Sequence, residues 1–598
     1  MFQAFNKLYA LLNKAEKRRA RLVFLLMLGT AFLEMLGVAS IMPFVGVLAT
    51  PGIVESNEYL AAANQWLGFD EPRTFLIFLG AVVLILFVSS LVFKALSAYA
   101  VLRFSNMRSH AFCYRLLKGY LSQPYSFFLG RNTAELSKTL FSEVNEVING
   151  GLIPALKVLS GTIVSSMIIL LLMVVEPVLT LIVGVVLGGA FTTVYVVSRR
   201  YLQRIGKSRV DANQQRFLLA NESLNGIKEL RLMGRESSYL ARFHKVSERF
   251  ASYQASSKAM GDIPSFAIQA IAFGGVLVLV LYLMGRYGGL EGALPLIALY
   301  AFAGYRLLPA FQEIFKNSTQ LRFYSAAVDS LHADLASMPQ TDSISTVTMV
   351  GERLNGDLHL EQVSFQYASA AKPALCDLSI HIPSGTSAAF VGTTGAGKST
   401  VVDLILGLLE PTSGSIRVGD QPLQGNSLKA WQRNIGYVPQ TIYLADASIA
   451  ENIAFGVPKA DIDMQAAERA ARAAHIHDFI VEQLPEGYRT HTGERGVRLS
   501  GGQRQRIGIA RALYHNPEIV VFDEATSALD NATEAAVMQA VNELRGEKTI
   551  ILIAHRLSTV ERCDTIFMLE HGRLCASGTY QELMAGSDAF SRLASTNS

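Results

Sequence analysis

Apolar residues are concentrated in the first half of this 598-residue chain. Six runs there are each close to the ~20 residues that cross a bilayer, and they lie at 22–49, 75–96, 148–174, 178–198, 264–285 and 292–310. No run of this kind follows residue 351. The pattern predicts six transmembrane helices, followed by a region outside the membrane.

The second half of the chain has a different periodicity. After a polar stretch at about 337–357, short β-branched runs alternate with helical ones, and the strand-like runs are "HLEQVSFQY", "SAAFVG", "GYVPQ", "EIVVFDE" and "TIILIAH". Strands that alternate with helices predict an α/β domain with a largely parallel sheet. The predicted domains are an N-terminal interfacial helix at 1–21, a transmembrane domain at 22–335, a linker at 336–357 and an α/β domain at 358–598.

The N-terminal segment "FNKLYALLNKAEKRRAR" combines helically spaced apolar residues with a basic cluster. This composition favours a helix on the cytoplasmic lipid surface. A solvated chain start is the alternative.

The charges between the runs predict the topology. Segment 103–147 carries six Lys and Arg against three acids, and segment 199–261 carries thirteen against five, whereas segment 51–73 carries four acids and one Arg. Positive segments stay on the cytoplasmic side, so both termini and the α/β domain are expected there. The four cysteines fall on that side without close spacing, which predicts reduced thiols rather than disulfides or a zinc site.

The stretch "VGTTGAGKST" follows one predicted strand and precedes a helix, which is the context of a phosphate-binding loop. Its glycines let backbone N–H groups face phosphates, Lys398 can reach the β and γ oxygens, and Ser399 can bind Mg²⁺. The expected ATP-binding residues of this loop are Gly392, Thr393, Thr394, Gly395, Ala396, Gly397, Lys398, Ser399 and Thr400.

Two adjacent acids end the predicted strand in "VVFDEATSALD". Adjacent acids on a loop are usually only solvated, but these follow a buried strand downstream of a phosphate loop. We therefore predict that Asp523 holds the metal shell and that Glu524 orients the attacking water.

A second glycine turn, "LSGGQ" at 499–503, opens the basic helical run "RQRIGIARAL". Bare backbone N–H groups at a helix start form an anion site. The chain thus has two candidate phosphate-binding turns about a hundred residues apart.

Together the motifs resemble the ATP-binding cassette exporters. The residues that carry the resemblance are "GTTGAGKST", "YVPQ", "GERGVRLSGGQRQR", "VVFDEATSALD" and "IAHR", preceded by six spans, and the resemblance covers essentially the whole chain. It implies the type I exporter fold, in which a membrane domain of six helices is fused to a cytoplasmic α/β P-loop ATPase domain.

The resemblance also implies roles for single residues. Tyr367 would stack on adenine, Gln440 would sense the γ-phosphate within the metal shell, and His555 would contact the γ-phosphate. Asp530 would end the loop that links two ATP sites.

In this family the "LSGGQ" turn closes over ATP held by another cassette, so Ser500, Gly501, Gly502 and Gln503 would serve a partner's nucleotide. Each chain carries one copy of each half-site, which implies a homodimer with two equivalent sites for ATP and Mg²⁺.

Segments of the membrane half resemble the lipid-linked oligosaccharide flippases of bacterial protein glycosylation and their polysaccharide-export relatives. They are "FLEMLGVASIMPFVGVL", "LSQPYSFFLGRNTAELSKTLFSEV", "ANESLNGIKELRLMGRE" and "AGYRLLPAF". The implied cargo is a polyprenyl-pyrophosphate glycan, moved across a bacterial inner membrane. An exporter of another lipid, a polysaccharide, a peptide or a drug is the alternative, whereas a cassette protein of the ribosome or of DNA repair would lack spans, so no nucleic-acid partner is expected.

A pyrophosphate cargo needs fixed cations, because an unpaired charge inside the membrane is costly. Lys94, Lys157 and Arg306 lie in or near the predicted spans, and Arg306 is the first choice because its planar fork grips phosphate oxygens. The competing interpretation pairs Arg306 with an acid such as Glu313. Glu34 is expected to face the bundle interior, either in a structural hydrogen bond or near cargo.

The same resemblance places two cytoplasmic segments, 124–128 and 225–234, on the cassettes as transmission helices. It also makes "PGIVESNEYLAAANQWLGF" an external helix whose Leu60, Trp66 and Leu67 rest among lipids. A plain connecting loop is the alternative for that segment.

Overall fold

The computed structural model describes residues 2–50, 52–69, 71–286, 290–338, 353–368, 370–493, 496–524, 531–554 and 556–596. The chain divides into two compact units: Met1–Gln123 with Gly130–Ile344, and Pro124–Leu129 with Ser345–Ser598. Most of the predicted linker, 339–352, lies outside the described residues.

The described part of the first unit is helical. Its helices are α1 (Phe2–Ala10), α2 (Lys14–Ala39), α3 (Ile41–Ala49), α4 (Ile53–Ser56), α5 (Glu58–Leu67), α6 (Pro72–Leu121), α8 (Thr133–Lys138), α9 (Val144–Glu146), α10 (Ile153–Val175), α11 (Pro177–Asn225), α12 (Ile227–Leu232), α13 (Glu236–Arg286), α14 (Leu290–Phe323) and α15 (Ser325–Ser337). Helix α7 (Tyr125–Leu129) belongs to the second unit. Two π-helical stretches, Thr139–Glu143 and Val147–Leu152, flank α9.

Three helices are much longer than a bilayer requires. Helices α6, α11 and α13 have 50, 49 and 51 residues, which corresponds to about 75 Å each against a hydrocarbon core of about 30 Å. They therefore carry the polypeptide far beyond the membrane, as the long basic segments of the sequence require.

Five of the six apolar runs lie in helical segments that are long and apolar enough to cross a membrane, counted over the described residues. These segments are Lys14–Ala49, Arg73–Leu121, Thr133–Val175, Glu236–Tyr282 and Leu294–Phe323. The remaining run, 178–198, lies within α11.

The N-terminal segment is two helices rather than the single interfacial helix predicted for 1–21. Asn13 begins α2 with a capping box, in which its side chain accepts from Glu16 N–H at 2.8 Å and Glu16 accepts from Asn13 N–H at 2.8 Å. Glu16 is buried and pairs with Arg108 of α6. The basic residues after Asn13 thus belong to the first spanning segment, because a strong N-cap separates them from α1.

The segment after α3 is helical rather than a plain loop. In α5, Leu60 and Leu67 pack on an apolar cluster that contains Val47 and Phe75, whereas Trp66 is exposed. The helix therefore has one packed face and leaves one large aromatic ring outside.

The second unit combines two sheets with helices. Its elements after α7 are β1 (Leu358–Phe365), β2 (Leu375–Ile382), β3 (Ser387–Val391), α16 (Lys398–Ile405), β4 (Ser413–Val418), β5 (Gln421–Pro422), α17 (Gly425–Gln432), β6 (Ile435–Val438), α18 (Ile449–Ile453), α19 (Met464–Ala473), α20 (Gly501–Leu513), β7 (Ile519–Asp523), α21 (Asn531–Glu543), β8 (Thr549–Ile553), β9 (Thr565–Glu570), β10 (Arg573–Gly578), α22 (Tyr580–Gly586) and α23 (Asp588–Thr596).

The larger sheet has the order β10-β9-β3-β8-β7-β6, and its strands pair in parallel from β9 to β6. Every residue of β3 and β8 is buried, as expected for a parallel sheet covered on both faces. The smaller sheet, β2-β1-β4-β5, is antiparallel. The five predicted strands are confirmed as β1, β3, β6, β7 and β8.

Candidate functional site

The phosphate loop occupies the turn between β3 and α16, at the carboxyl end of a central parallel strand. Gly392 has a φ of 148°, and a Cβ there would lie 2.2 Å from the carbonyl oxygen of Leu569. No side chain fits at this position. The backbone of the loop is thereby left bare where α16 begins, and the start of a helix attracts anions.

Lys398, the first residue of α16, is folded back over this loop. Its Nζ donates to the carbonyl oxygens of Gly392 at 2.8 Å and Thr393 at 3.0 Å. Burial lowers the pKa of Lys398, while Glu524 and Asp523 oppose that shift. These bonds hold the ammonium group in the centre of the loop, bound to neutral partners.

Tyr367 lies beside the same helix. Its hydroxyl is 3.0 Å from Oγ1 of Thr400, and its ring meets Phe365 edge-on at a centroid distance of 4.8 Å. The family resemblance assigns this ring to adenine. The structure places it next to the first turn of α16.

The two acids at the end of β7 lie next to Tyr437, which is in the neighbouring strand β6, and Gln440, which is two residues past the end of β6. Tyr437 donates its hydroxyl to Oδ2 of Asp523 at 3.2 Å, and Gln440 donates Nε2 to Oε2 of Glu524. Glu524 has a φ of 49°, a left-handed backbone that is costly for a side-chain-bearing residue. Asp523, predicted to hold the metal shell, and Glu524, predicted to orient the water, thus lie in one group with Gln440.

Two groups near this site are absent from the sequence predictions. Burial, together with Asp523, raises the pKa of Asp403 on α16 from 3.8 to about 6. Burial also raises the pKa of Tyr437, with Asp523, Asp403 and Tyr125 contributing in the same direction. Asp403 lies inside an apolar helical run and Tyr437 inside a strand, so neither has a motif that signals its position.

The "LSGGQ" turn starts α20. Ser500 accepts from Gln503 N–H at 3.2 Å, and Gln503 Oε1 accepts from Ser500 N–H at 2.7 Å, which makes a capping box. Gly501 is exposed, and a Cβ there would meet nothing within 4 Å. Because the hydrogen bonds of Ser500 and Gln503 side chains stay within the turn, the phosphate loop of the described chain is not their partner.

ATP and Mg²⁺ fit the donor set. Bare loop amides and Lys398 suit phosphates, and the oxygens of Ser399, Asp523 and Gln440 are the kind that Mg²⁺ prefers. His555 and Asp530, which the sequence added to the site, lie outside the described residues.

The three cations assigned to cargo occupy two places in the first unit. Arg306 of α14 lies 3.5 Å from Glu34 of α2 (Nη1 to Oε1) and donates Nη2 to Ser90 of α6 at 3.2 Å. Lys94 lies 3.1 Å from the same Glu34 oxygen. The guanidinium of Arg306 also stacks on Phe87, with its central carbon 5.0 Å from the ring centroid.

Glu313 does not pair with Arg306 in this arrangement. It pairs with Lys157 at 3.1 Å, and both side chains are more than two-fifths exposed. In contrast, the Glu34 and Arg306 side chains are only 2% and 9% exposed. The acid that neutralises Arg306 is therefore Glu34, which the sequence placed inside the bundle without a partner.

Comparison with known proteins locates both units in described families. Residues 375–527 match the family described as ABC transporter, and residues 23–305 match the ABC transporter transmembrane region.

The ATP-dependent lipid A-core flippase of Cupriavidus metallidurans is 32% identical over 478 residues, which cover 79% of each chain. The protein of the same name from Saccharophagus degradans is 33% identical over 479 residues, covering 79% of this chain and 78% of the relative. The solved structure of a bacterial Atm1-family ABC exporter with ATP bound gives a TM-score of 0.77 at 22% identity, and covers 98% of this chain and 99% of that chain. At this identity the likeness concerns the fold.

Proposed function

The chain belongs to the ABC transporter family and couples ATP hydrolysis to transport, and on this basis we propose that it flips a lipid-linked oligosaccharide, a polyprenyl-pyrophosphate glycan. Its fold is the type I exporter fold expected from the sequence, with the membrane region and the cassette in one polypeptide.

The observation that carries the proposal is the ionic cluster of Arg306, Lys94 and Glu34. Two cations share one carboxylate oxygen, so the group has a formal surplus of one positive charge. A pyrophosphate brings at least two negative charges and can replace Glu34 as the partner of both cations. Arg306 would then bind it through two parallel N–H···O bonds.

A second candidate cargo is lipid A-core, because relatives at 32% and 33% identity bear the name of its flippase. Both cargoes are glycolipids with phosphate groups, so the same cationic cluster suits either one. The test below separates them.

The residues of the second unit account for hydrolysis. Lys398 and the loop amides would hold the phosphates, and Glu524, oriented by Gln440, would accept a proton from the attacking water. Bound Mg²⁺ would supply neutralisation of the phosphate charge, with Ser399, Asp523 and Gln440 as its protein neighbours. Tyr437, through its bond to Asp523, would keep that carboxylate oriented.

We also propose a homodimer in which each "LSGGQ" turn completes the partner's ATP site. Ser500 and Gly501 are exposed and make no bond to the described chain's own phosphate loop. Helix α12 has no buried residue, and Leu232 and the adjacent Met233 are 79% and 70% exposed. A cassette of the second copy would cover these apolar side chains, which monomers rarely leave in groups.

We propose the bacterial inner membrane as the location, with the termini and the cassette in the cytoplasm. The excess of Lys and Arg in 103–147 and 199–261 supports this orientation. The external α5 would then lie with Trp66 at the lipid interface.

The test is a flipping assay in proteoliposomes that contain either a labelled polyprenyl-pyrophosphate glycan or labelled lipid A-core. Arg306→Ala should abolish ATP-dependent flipping of the cargo and leave basal ATPase activity near normal. Lys316→Ala is the matched control, because Lys316 lies on the same helix in an exposed pair with Asp262.

Full flipping by the Arg306 variant would refute the cationic binding site. Flipping of lipid A-core but not of the polyprenyl-linked glycan would replace the first cargo by the second.

A further inference from the structure

Three side chains with metal-binding atoms lie together on the antiparallel sheet of the second unit. Asp357 precedes β1, His359 lies on β1 and His381 lies on β2. One ligand atom from each lies within 4.8 Å of the others. The group is at the opposite end of β1 from Tyr367, about 25 Å away along an extended chain, so it is separate from the nucleotide site.

The strand register explains why the three side chains meet. His359 and His381 are direct cross-strand partners in the antiparallel pair, and directly opposite residues point to the same face of a sheet. Asp357 is two residues before His359, so it shares that face under the alternation of an extended chain. The two imidazole rings are stacked, with centroids 4.5 Å apart and planes 8° from parallel.

The distances suit ligands of one ion. Oδ2 of Asp357 lies 3.2 Å from Nε2 of His381. Two ligands at the usual Zn–N and Zn–O distances of about 2.1 Å on a tetrahedral ion are about 3.4 Å apart. The donor nitrogen of His359 lies within 4.8 Å of the other ligand atoms. Because a metal ion lies in the plane of each imidazole that binds it, the two stacked rings have to rotate out of parallel for both nitrogens to reach one ion.

The carboxylate is also held in position. Oδ1 of Asp357 accepts from the backbone N–H of Ser384 at 2.9 Å, which leaves Oδ2 directed to the histidines. Hydrogen bonds of this kind orient metal-ligating carboxylates in proteins. The side chains of Asp357 and His381 are 44% and 53% exposed, so an ion can enter from solvent.

We propose that Asp357, His359 and His381 bind a divalent transition metal ion of the Zn²⁺ class, with water in the remaining position. Two imidazoles and one carboxylate are a ligand set typical of such ions and unsuited to Mg²⁺ or Ca²⁺, which prefer oxygen. The ion clips the beginning of β1 to the end of β2. Since the site exists only in the folded sheet, binding raises the stability of the second unit.

A simple hydrogen bond between His381 and Asp357, with His359 stacked beside it, is the competing account. It predicts no metal dependence.

The experiment titrates Zn²⁺ into the full-length protein by calorimetry, without nucleotide and with an affinity tag that lacks histidine. The parent and every variant carry Cys575→Ser, because Cys575 is an exposed thiol and thiolates are zinc ligands that would compete in the titration. The test variant is His359→Phe/His381→Phe, which keeps stacked rings but removes both donor nitrogens. The control is His244→Ala, whose side chain is 79% exposed on α13.

We expect one Zn²⁺ per chain in the parent and in the control, and at least about tenfold weaker binding in the double variant and in Asp357→Asn. Zn²⁺ should raise the thermal midpoint of the parent but not of the double variant. Equal Zn²⁺ binding by parent and double variant would overturn the proposal, as would a parent that binds no Zn²⁺. ATPase activity equal to that of the parent, measured with Mg²⁺ and without added Zn²⁺, identifies a correctly folded double variant, and Asp357→Asn provides the test if that variant is unfolded.

Discussion

Lys398 and Arg306 are two nearly buried cations in different units, and they have different kinds of partner. Lys398, 6% exposed, donates to two neutral backbone carbonyls, whereas Arg306 faces the buried carboxylate of Glu34. A cation whose hydrogen bonds go to carbonyls does not have to break an ion pair before it meets a phosphate. A cation paired with a carboxylate must exchange one anion for another, so its ligand has to compete with the protein itself.

The two arrangements suit different tasks. The nucleotide site has to bind a single anion of fixed structure tightly. In the proposed function, the membrane cluster would need a counter-charge while no cargo is present, because an isolated charge there is expensive, and it would have to release the cargo afterwards. Glu34 offsets one of the two positive charges and would be available to pair with Arg306 again when the cargo leaves.

The largest expected effect is on the rate of ATP hydrolysis. Glu524→Gln keeps the side-chain shape and the contact with Gln440 but removes the base, so kcat for ATP should fall by at least about 100-fold. Nucleotide binding should persist, measured by equilibrium titration. Glu518→Gln, an exposed change just before the same strand, should leave kcat unchanged, and an unaffected Glu524→Gln would remove Glu524 from the mechanism.

Glu34→Gln tests the paired cation. The change leaves Arg306 buried without a charged partner, and loss of one member of a buried pair costs about 3 kcal/mol of unfolding free energy. Thermal unfolding in lipid nanodiscs should show a lower midpoint than for Glu248→Gln, an exposed control on α13. A midpoint equal to the parent's, with full flipping retained, would mean that Arg306 does not depend on Glu34, and the contrast between the two cations would fail.

Lys398→Ala tests the cation with neutral partners. Loss of a charged hydrogen-bond donor to phosphate should weaken ATP binding by about 2 kcal/mol, or roughly 30-fold, measured by titration with labelled nucleotide. The free energy of unfolding should change less than in Glu34→Gln, because no charge is left unpaired among the partners shown for Lys398. Lys429→Ala, an exposed position on α17, is the control, and equal ATP affinity in both variants would contradict the role.

The smallest effect concerns Asp403 and depends on pH. Its raised pKa means that the folded state favours the protonated carboxyl, so this contribution to stability is complete below about pH 4 and is lost as pH rises through about 6. Asp403→Asn should therefore be more stable than the parent at pH 8, by about 1 kcal/mol after allowance for solvent screening, and equal to it near pH 4. The measurement is thermal unfolding across pH without nucleotide or Mg²⁺.

Asp420→Asn, at a fully exposed position, should show no such trend. A difference between Asp403→Asn and the parent that is constant with pH would show that Asp403 does not titrate in this window.

The sequence predicts the nucleotide site better than the membrane cluster for a physical reason. The phosphate loop and the "LSGGQ" turn are contiguous, and their local backbone follows from glycines and caps, as at Gly392 and Ser500. The partners Glu34 and Arg306 are 272 residues apart, and only the packing of α2 against α14 decides their pairing. Glu313 was the candidate partner for Arg306 because it is near Arg306 in the sequence, but Glu34 is the acid that lies near it in the fold.

The same reason applies to the fold. The buried strands β3, β7 and β8 are continuous apolar runs and are predicted correctly. The antiparallel β2, β4 and β10 alternate polar and apolar residues, and in β10 no residue is buried, so their pattern is weak. The boundary between α1 and α2 at Asn13 is not predicted, because the segments on both sides of it have the same basic and apolar composition.

The long helices of the first unit also have a mechanical consequence. Helix α6 has 50 residues with proline only at its first position, so it acts as a stiff lever: a tilt of about 5° at one end of a 75 Å rod moves the other by about 6 Å, more than one helical turn. Helix α13 is as long but contains Pro264, which removes a hydrogen bond and creates a joint. Helix α6 would thus transmit a small rotation along its whole length, whereas α13 can bend at Pro264.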